Sequence, residues 1–111
     1  MKKKVLLIDG DSFGKGDEKL GSILISNFLR FLGEQEELPE AIFFWNYGVK
    51  LVCEGSDKIE LLKKLEEKGV LLLICKTCLD YLGLLDKVAI GKVSGMTDLL
   101  AIMTNFEIVS L

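Results

Sequence analysis

The chain has 111 residues, half of them hydrophobic, and its 14 basic and 17 acidic side chains leave a formal net charge of −3. That length suits one domain, which we expect to span residues 1–111 around one core. The acidic balance, without a basic stripe interleaved with aromatic residues, argues against a nucleic-acid partner. The longest apolar stretches, 41–45 and 70–75, are too short to cross a membrane, and no hydrophobic signal segment follows the basic start, so we expect a cytoplasmic protein.

The first half of the chain predicts a strand, a helix and a second strand. Residues 4–8 (KVLLI) form a continuous apolar run that stops at Asp9, which is typical of a strand buried on both faces. Apolar residues then recur at a spacing of three and four through 17–32, which predicts a helix with Asp17 as its N-cap. Acidic residues and the single proline, Pro39, end that helix, and the aromatic-rich segment 41–45 predicts the second strand.

The second half continues the alternation of strands and helices. A short helix at 46–54 is followed by a helix that Ser56 caps and that Gly69 ends. The later predictions are strands at 70–74, 88–90 and 107–110, a loop from Cys75 into a short helix that stops near Gly83, and a short helix at 97–103. Strands that alternate with helices and lack a polar face predict an α/β fold, a three-layer α/β/α sandwich with a mainly parallel sheet.

Ligands of such folds gather at the carboxyl ends of the strands, so the loops after the first three strands are the candidate site. The glycine-rich turn before the first helix lacks the lysine and hydroxyl spacing of a P-loop. Its glycines serve the turn itself, or the helix start binds an anion with the help of a lysine. The candidate ligand-binding residues on this edge are Asp11, Gly14, Lys15, Gly16, Asp17, Asn46, Gly48 and Lys76.

Cys75 and Cys78 form the motif with the strongest chemical implication. They lie where a buried strand meets a helix, and backbone N–H groups together with Lys76 favour a thiolate there. A nucleophilic thiolate can accept a sulfane sulfur as a persulfide, and a second thiol within reach can resolve it. The alternative is that both cysteines only pack, as small hydrophobic side chains often do at strand ends. Cys53, beside Val52, is expected to pack.

Other cysteine chemistries fit less well. The chain has no histidine, which excludes Cys-His and Ser-His-Asp catalysis, and its odd total of three cysteines argues for reduced thiols instead of a disulfide framework. A structural zinc ion would need two more ligands than the pair supplies. Thioredoxin-like exchange uses a cis-proline after the motif, and no proline follows Cys78. We therefore expect no metal and no bound cofactor.

The sequence resembles the DsrE/DsrF-like superfamily, and most closely the DsrE-like domain of the YedF proteins, which are described as sulfurtransferase-like proteins of selenium metabolism. The stretches that carry the resemblance are SFGKGDEKLG at 12–21, WNYGVKL at 45–51, EGS at 54–56, LEEKG at 65–69, CKTCLDY at 75–81 and GL at 83–84. They recur in order over nearly the whole chain. The turn at 9–11 departs from the Thr-Ser-Asp-like sequence of the YedF branch, so a role in selenium metabolism is not carried over.

The resemblance implies a parallel five-stranded sheet and self-association into dimers, trimers or hexamers, which agrees with the positive mean hydropathy of +0.36. In sulfur-relay members of the superfamily the acceptor cysteine lies eight residues before a glycine, which matches Cys75 and Gly83. The resemblance thus implies Cys75 as the acceptor and Cys78 as the second thiol. YedF proteins carry an N-terminal TusA-like domain that does not precede the first strand here, so the sulfur donor and acceptor are expected to be separate proteins.

Two functions therefore stand as hypotheses. The first is a sulfur-carrier or sulfurtransferase-like protein that takes sulfane sulfur on Cys75 as a persulfide and relays it to a partner. The second is a non-catalytic oligomeric module that binds a small ligand or a protein at the same edge of the sheet. An exposed Cys75 thiol of lowered pKa would favour the first, and a buried Cys75 the second.

Overall fold

A computed structural model describes residues 3–111 of the chain. Within that range, five parallel strands form one sheet in the order β4-β3-β2-β1-β5. The strands are β1 Lys4–Ile8, β2 Ala41–Phe44, β3 Leu71–Cys75, β4 Lys92–Ser94 and β5 Glu107–Ser110. The α-helices are α1 Glu18–Leu32, α2 Ile59–Glu67, α3 Lys76–Leu82 and α4 Met96–Asn105, and 3-10 helices cover Asn46–Val52 and Leu85–Lys87. The predicted α/β class is confirmed.

The order of the strands decides on which face each helix lies. From β1 to β4 the strands step outward in one direction, and β5 then lies on the other side of β1. Because crossovers between parallel strands are right-handed, α1, α2 and α3 cover one face of the sheet and α4 covers the other. Since all strands are parallel, their carboxyl ends share one edge, and the loops that leave this edge contain the candidate residues.

The core explains why the three long apolar runs form strands. All four residues of β2 are buried, as are residues 72–75 of β3 and residues 5–8 of β1. Each large aliphatic or aromatic side chain buried in this way contributes about 1.5–3 kcal/mol relative to its exposed state. Ile25 and Leu29 of α1 and Leu62 and Leu65 of α2 belong to the same buried cluster. The sheet is therefore a rigid base for the loops at its edge.

The predicted fourth strand at 88–90 was wrong. Val88 instead makes an isolated antiparallel bridge with Cys53, and Ala89 N–H donates to the Val52 carbonyl. The fourth strand is Lys92–Ser94, which lies at the edge of the sheet and pairs only with β3. The apolar segment 88–90 therefore packs at the end of the first 3-10 helix. The strand β4 that follows it is only three residues long and more polar.

The helix boundaries differ from the predicted ones at three places. Ser56 does not cap α2, which begins only at Ile59; the Ser56 hydroxyl accepts from Lys58 N–H in the preceding turn. α3 begins at Lys76 with no loop after β3, and α4 extends to Asn105. No helix among residues 3–111 combines the length and apolar character needed to span a membrane.

Candidate functional site

The two cysteines of the motif lie at the junction of β3 and α3 but differ in exposure. Cys75 ends the buried strand and is 1% exposed, whereas Cys78 is half-buried on the first turn of α3. Both thiols are free. Only Cys78 lines a cavity, of about 290 Å³, together with Asn46, Tyr47, Thr77, Tyr81 and Leu82. A molecule that enters this cavity meets Cys78 before it can reach Cys75.

Asn46 provides the nearest polar contact to the Cys78 sulfur. Its backbone N–H donates to Cys78 Sγ over 3.1 Å, across 32 positions of sequence. The Asn46 side chain turns back on its own chain, where Oδ1 accepts from Tyr47 N–H at 2.9 Å. The backbone of Asn46 has φ of 50°, in the left-handed region. The contact therefore joins the loop after β2 to the helix after β3.

Gly48 is part of this loop and has a packing role in the structure. It is buried, and a Cβ atom at this position would lie 2.3 Å from the Ile8 carbonyl oxygen and 3.3 Å from Gly10 N. Only a residue without a side chain permits this approach to the end of β1. Gly48 thus fixes the start of the 3-10 helix, and with it Asn46, against the sheet.

The pKa of the Cys78 thiol is raised above its ordinary value. Burial is the main cause, and the neighbouring Cys75 side chain adds to the rise. The Asn46 N–H acts in the opposite direction, because a donor to sulfur favours the thiolate. The N–H donor to Cys78 thus comes from another element and not from its own helix, where the sequence analysis placed it.

Lys76 does not direct its charge at the sulfur atoms. Its Nζ lies 2.8 Å from Asp80 Oδ2, one turn along α3, and both side chains are largely exposed. Since α3 is only seven residues long, its dipole is also small. The expected role of Lys76 in favouring a thiolate thus finds no contact in the structure.

The turn after β1 lies apart from the cysteine cavity. Gly14 and Gly16 have φ of 80° and 139°, which explains why glycine occupies these positions. Asp17 caps α1 as predicted, since its Oδ1 accepts from Leu20 N–H at 2.8 Å. Lys15 is exposed at the tip of the turn. Gly14, Lys15, Gly16 and Asp17 are not lining residues of the cavity at Cys78.

A second and larger cavity, of about 460 Å³, has a different lining. Asp11 lines it with Ser22, Lys50, Leu51, Glu54, Gly55, Ser56, Asp57 and Lys58. Lys58 is only 3% exposed, and its Nζ donates to Ser22 Oγ at 2.9 Å and Ser26 Oγ at 2.7 Å and pairs with Asp57 Oδ1 at 3.0 Å. The two serines belong to α1, so this lysine ties α1 to the start of α2.

The structure thus brings only some of the predicted residues together. Asn46, Cys75 and Cys78 come together, whereas Asp11 belongs to the second cavity. Sequence reasoning missed Tyr47, Thr77, Tyr81 and Leu82 at the cavity of Cys78, although Tyr81 and Leu82 follow Cys78 by three and four positions, which places them on one face of a helix. Lys58 gave no signal, because its burial depends on α1.

The described residues offer no evident metal centre. Among residues 3–111, no three or more cysteine, aspartate or glutamate side chains are grouped so that they could hold a metal ion.

Fold and site together define an α/β protein with a five-stranded parallel sheet and a pair of reduced cysteines at the carboxyl end of its third strand. The chain belongs to the DsrE/DsrF-like family, which matches residues 3–109. No curated protein matches it.

Solved structures of the same fold come from several microorganisms. A protein of unknown function from Methanobacterium thermoautotrophicum, MTH1491, has a TM-score of 0.74 and 22% identity over 100% of both chains. The ychN protein from E. coli has a TM-score of 0.71 and 21% identity, again over 100% of both chains. BT1422 from Bacteroides thetaiotaomicron, of unknown function, has a TM-score of 0.67 and 14% identity over 98% of this chain and 95% of its own. These similarities establish the fold.

Proposed function

We propose that the protein is a sulfur carrier that accepts sulfane sulfur as a cysteine persulfide and passes it to a partner. The observation that carries the proposal is the free Cys78 thiol, which faces a cavity, receives a backbone N–H and lies one helical turn from the free thiol of Cys75. Membership of the DsrE/DsrF-like family supports it, together with the closer resemblance to the DsrE-like domain of YedF proteins.

The difference in exposure favours Cys78 as the first acceptor and gives Cys75 a second role. The Cys78 thiolate attacks the terminal sulfur of a donor persulfide, an S–S bond forms as the donor's S–S bond breaks, and the donor leaves as a thiol after taking up a proton. A partner thiolate repeats this exchange on the Cys78 persulfide. Alternatively, Cys75 attacks Cys78 Sγ and releases hydrogen sulfide as the two cysteines close a disulfide. No external oxidant is needed in either route.

The test is intact-mass measurement after incubation with a low-molecular-weight persulfide. The native chain should gain one sulfur atom, Cys78→Ser should gain none, and Cys75→Ser should still gain it on Cys78. Cys53→Ser is the matched control, because Cys53 is buried and donates its S–H to the Val49 carbonyl. A native chain that gains no sulfur while Cys78 remains reactive to alkylation contradicts the proposal.

The partners in this proposal are separate donor and acceptor proteins in the cytoplasm and further copies of the chain. Self-association is supported by exposed apolar side chains on α1, which are Leu20, Ile23, Leu24 and Phe31. Light scattering on the native chain should report a dimer, trimer or hexamer, and a charge at Leu24 or Phe31 should shift it to monomer. A native monomer at micromolar concentration contradicts self-association.

The second candidate function is a non-catalytic binding module. The burial of Cys75 and the cavity beside Lys58, whose lining includes carboxylates, ammonium groups and hydroxyls, favour it. If Cys78 takes up no sulfur, small polar ligands should be screened against the native chain and Lys58→Met by the shift in melting temperature.

A further inference from the structure

The left-handed backbone of Asn46 is unusual within this chain. Among residues 3–111, it is the only residue other than glycine with positive φ. This conformation is unfavourable for residues with a Cβ atom, although asparagine tolerates it better than most. Conformations of this kind persist where the surrounding structure requires them, and they cluster at functional sites.

The conformation of Asn46 leaves its N–H free for Cys78. The hydrogen bonds between β2 and β1 end one residue earlier, where Trp45 N–H still donates to the Ile8 carbonyl. Asn46 begins the 3-10 helix, and the first N–H groups of a helix have no partner within it. The partner of this one is Cys78 Sγ at 3.1 Å. A donor that neither the sheet nor the helix uses is therefore aimed at the sulfur.

Two neighbouring contacts accompany the left-handed backbone of Asn46. The Asn46 side chain accepts from Tyr47 N–H, which is the local hydrogen bond that makes asparagine suitable here. Gly48, two residues on, packs against the carbonyl of Ile8 so closely that a Cβ atom does not fit. The sulfur contact is thus made by the backbone of Asn46, while its side chain supports the turn.

We propose that Asn46 is a positioning residue whose strained backbone aims its N–H at Cys78 Sγ and stabilises the Cys78 thiolate. The thiolate is the form that attacks a donor persulfide and the form that leaves when a partner takes the sulfur. The inference rests on the proposed function for its role in transfer, but its effect on the thiol is independent of any sulfur donor. A fixed N–H donor to sulfur opposes the burial and the Cys75 thiol, both of which favour the neutral form.

The experiment follows the pH dependence of Cys78 alkylation by iodoacetamide in the full-length chain, with peptide mapping to separate the three cysteines. Asn46→Gly keeps both the N–H and the left-handed backbone, and its alkylation midpoint should stay within about 0.2 pH unit of the native one. Asn46→Val disfavours that backbone, so its midpoint should rise by roughly 0.5–1 pH unit and its rate at neutral pH should fall about 3-fold to 10-fold. Asn46→Ala, with a weaker penalty, should lie between them.

The outcomes separate the alternatives. Asn46→Gly with the native midpoint beside Asn46→Ala with a raised one supports the proposal, and Asn46→Val should show a larger rise where it folds. Equal midpoints in native, Asn46→Gly and Asn46→Ala chains overturn it, as does a rise in the Asn46→Gly midpoint as large as the rise in Asn46→Ala.

Sulfur loading is measured on the same samples by intact mass. A native chain that takes up no sulfur overturns the proposed function alone, because the midpoints still report on Asn46.

Discussion

The loops that follow β1 and β2 both contain small polar residues and glycine, but their polar groups form hydrogen bonds to different partners. After β1, Asp17 caps its own helix at Leu20, and the Ser12 hydroxyl donates to the Glu18 carbonyl. After β2, Asn46 N–H reaches the Cys78 sulfur on another element. Hydrogen bonds that close within a few residues stabilise the loop itself, whereas a bond between distant segments places a polar group at a reactive atom. The second loop is therefore the functional one in our proposal.

The largest expected effect is that of Gly48→Ala in the loop after β2. Its new Cβ atom would meet the Ile8 carbonyl oxygen at 2.3 Å, so backbone must move, and we expect a loss of about 3 kcal/mol in the free energy of unfolding. Gly14→Ala is the matched control in the loop after β1, where φ is 80° but no atom lies within 4 Å. It should cost only about 1 kcal/mol. Urea unfolding measures both, and equal losses would contradict the packing role of Gly48.

Asp17→Ala should separate stability from thiol reactivity. Loss of the N-cap of α1 should lower the free energy of unfolding by about 1 kcal/mol, while the alkylation of Cys78 at neutral pH stays the same. Asp17→Asn keeps an acceptor oxygen and should recover most of the stability. A change in Cys78 reactivity with Asp17→Ala would show that the two loops are coupled and would remove the contrast between them.

Cys78 should react with alkylating agents much faster than Cys75, since only Cys78 faces a cavity. Because burial raises the pKa of the Cys78 thiol, its rate should increase with pH to a midpoint above that of an unstructured cysteine, about 8.5. Because its pKa is raised in the folded state, the Cys78 thiol stabilises the fold fully at pH values below its unfolded-state pKa. This stabilisation is lost as the pH rises through its folded-state pKa. Peptide mapping after timed alkylation measures both rates. A midpoint below that of an unfolded control, or a faster Cys75, contradicts this description of the site.

Lys76→Ala should have the smallest effect. The exposed pair with Asp80 contributes about 0.3–0.5 kcal/mol, and no contact joins the ammonium group to either sulfur. The alkylation midpoint of Cys78 should therefore move far less than in Asn46→Val. An upward shift as large as the one expected for Asn46→Val would restore the sequence-based role of Lys76 in favouring the thiolate.

Three strands, β1, β2 and β3, could be located from the sequence because each is an apolar run, and burial on both faces of a sheet requires such a run. The strand β5 was also placed correctly, although it is an edge strand without a buried residue. The fourth strand could not be located, since Lys92–Ser94 is a three-residue edge strand and the nearby apolar residues, Val88 among them, cover other parts of the structure. The cysteine pair was evident from its spacing, but the preference for Cys75 came from the family resemblance, in which the acceptor cysteine lies eight residues before a glycine. That spacing says nothing about what packs over the thiol.

The sequence by itself determined the α/β class, the alternation of helices and strands and the placing of two cysteines at the end of the third strand, because periodicity and local turn chemistry are written into neighbouring residues. Only the tertiary structure decided which thiol is accessible and which group contacts it. Cys78 receives its hydrogen bond from Asn46, 32 positions away, and Lys58 is buried by serines 32 and 36 positions away. Such contacts depend on how strands are ordered in the sheet, and no local pattern specifies that.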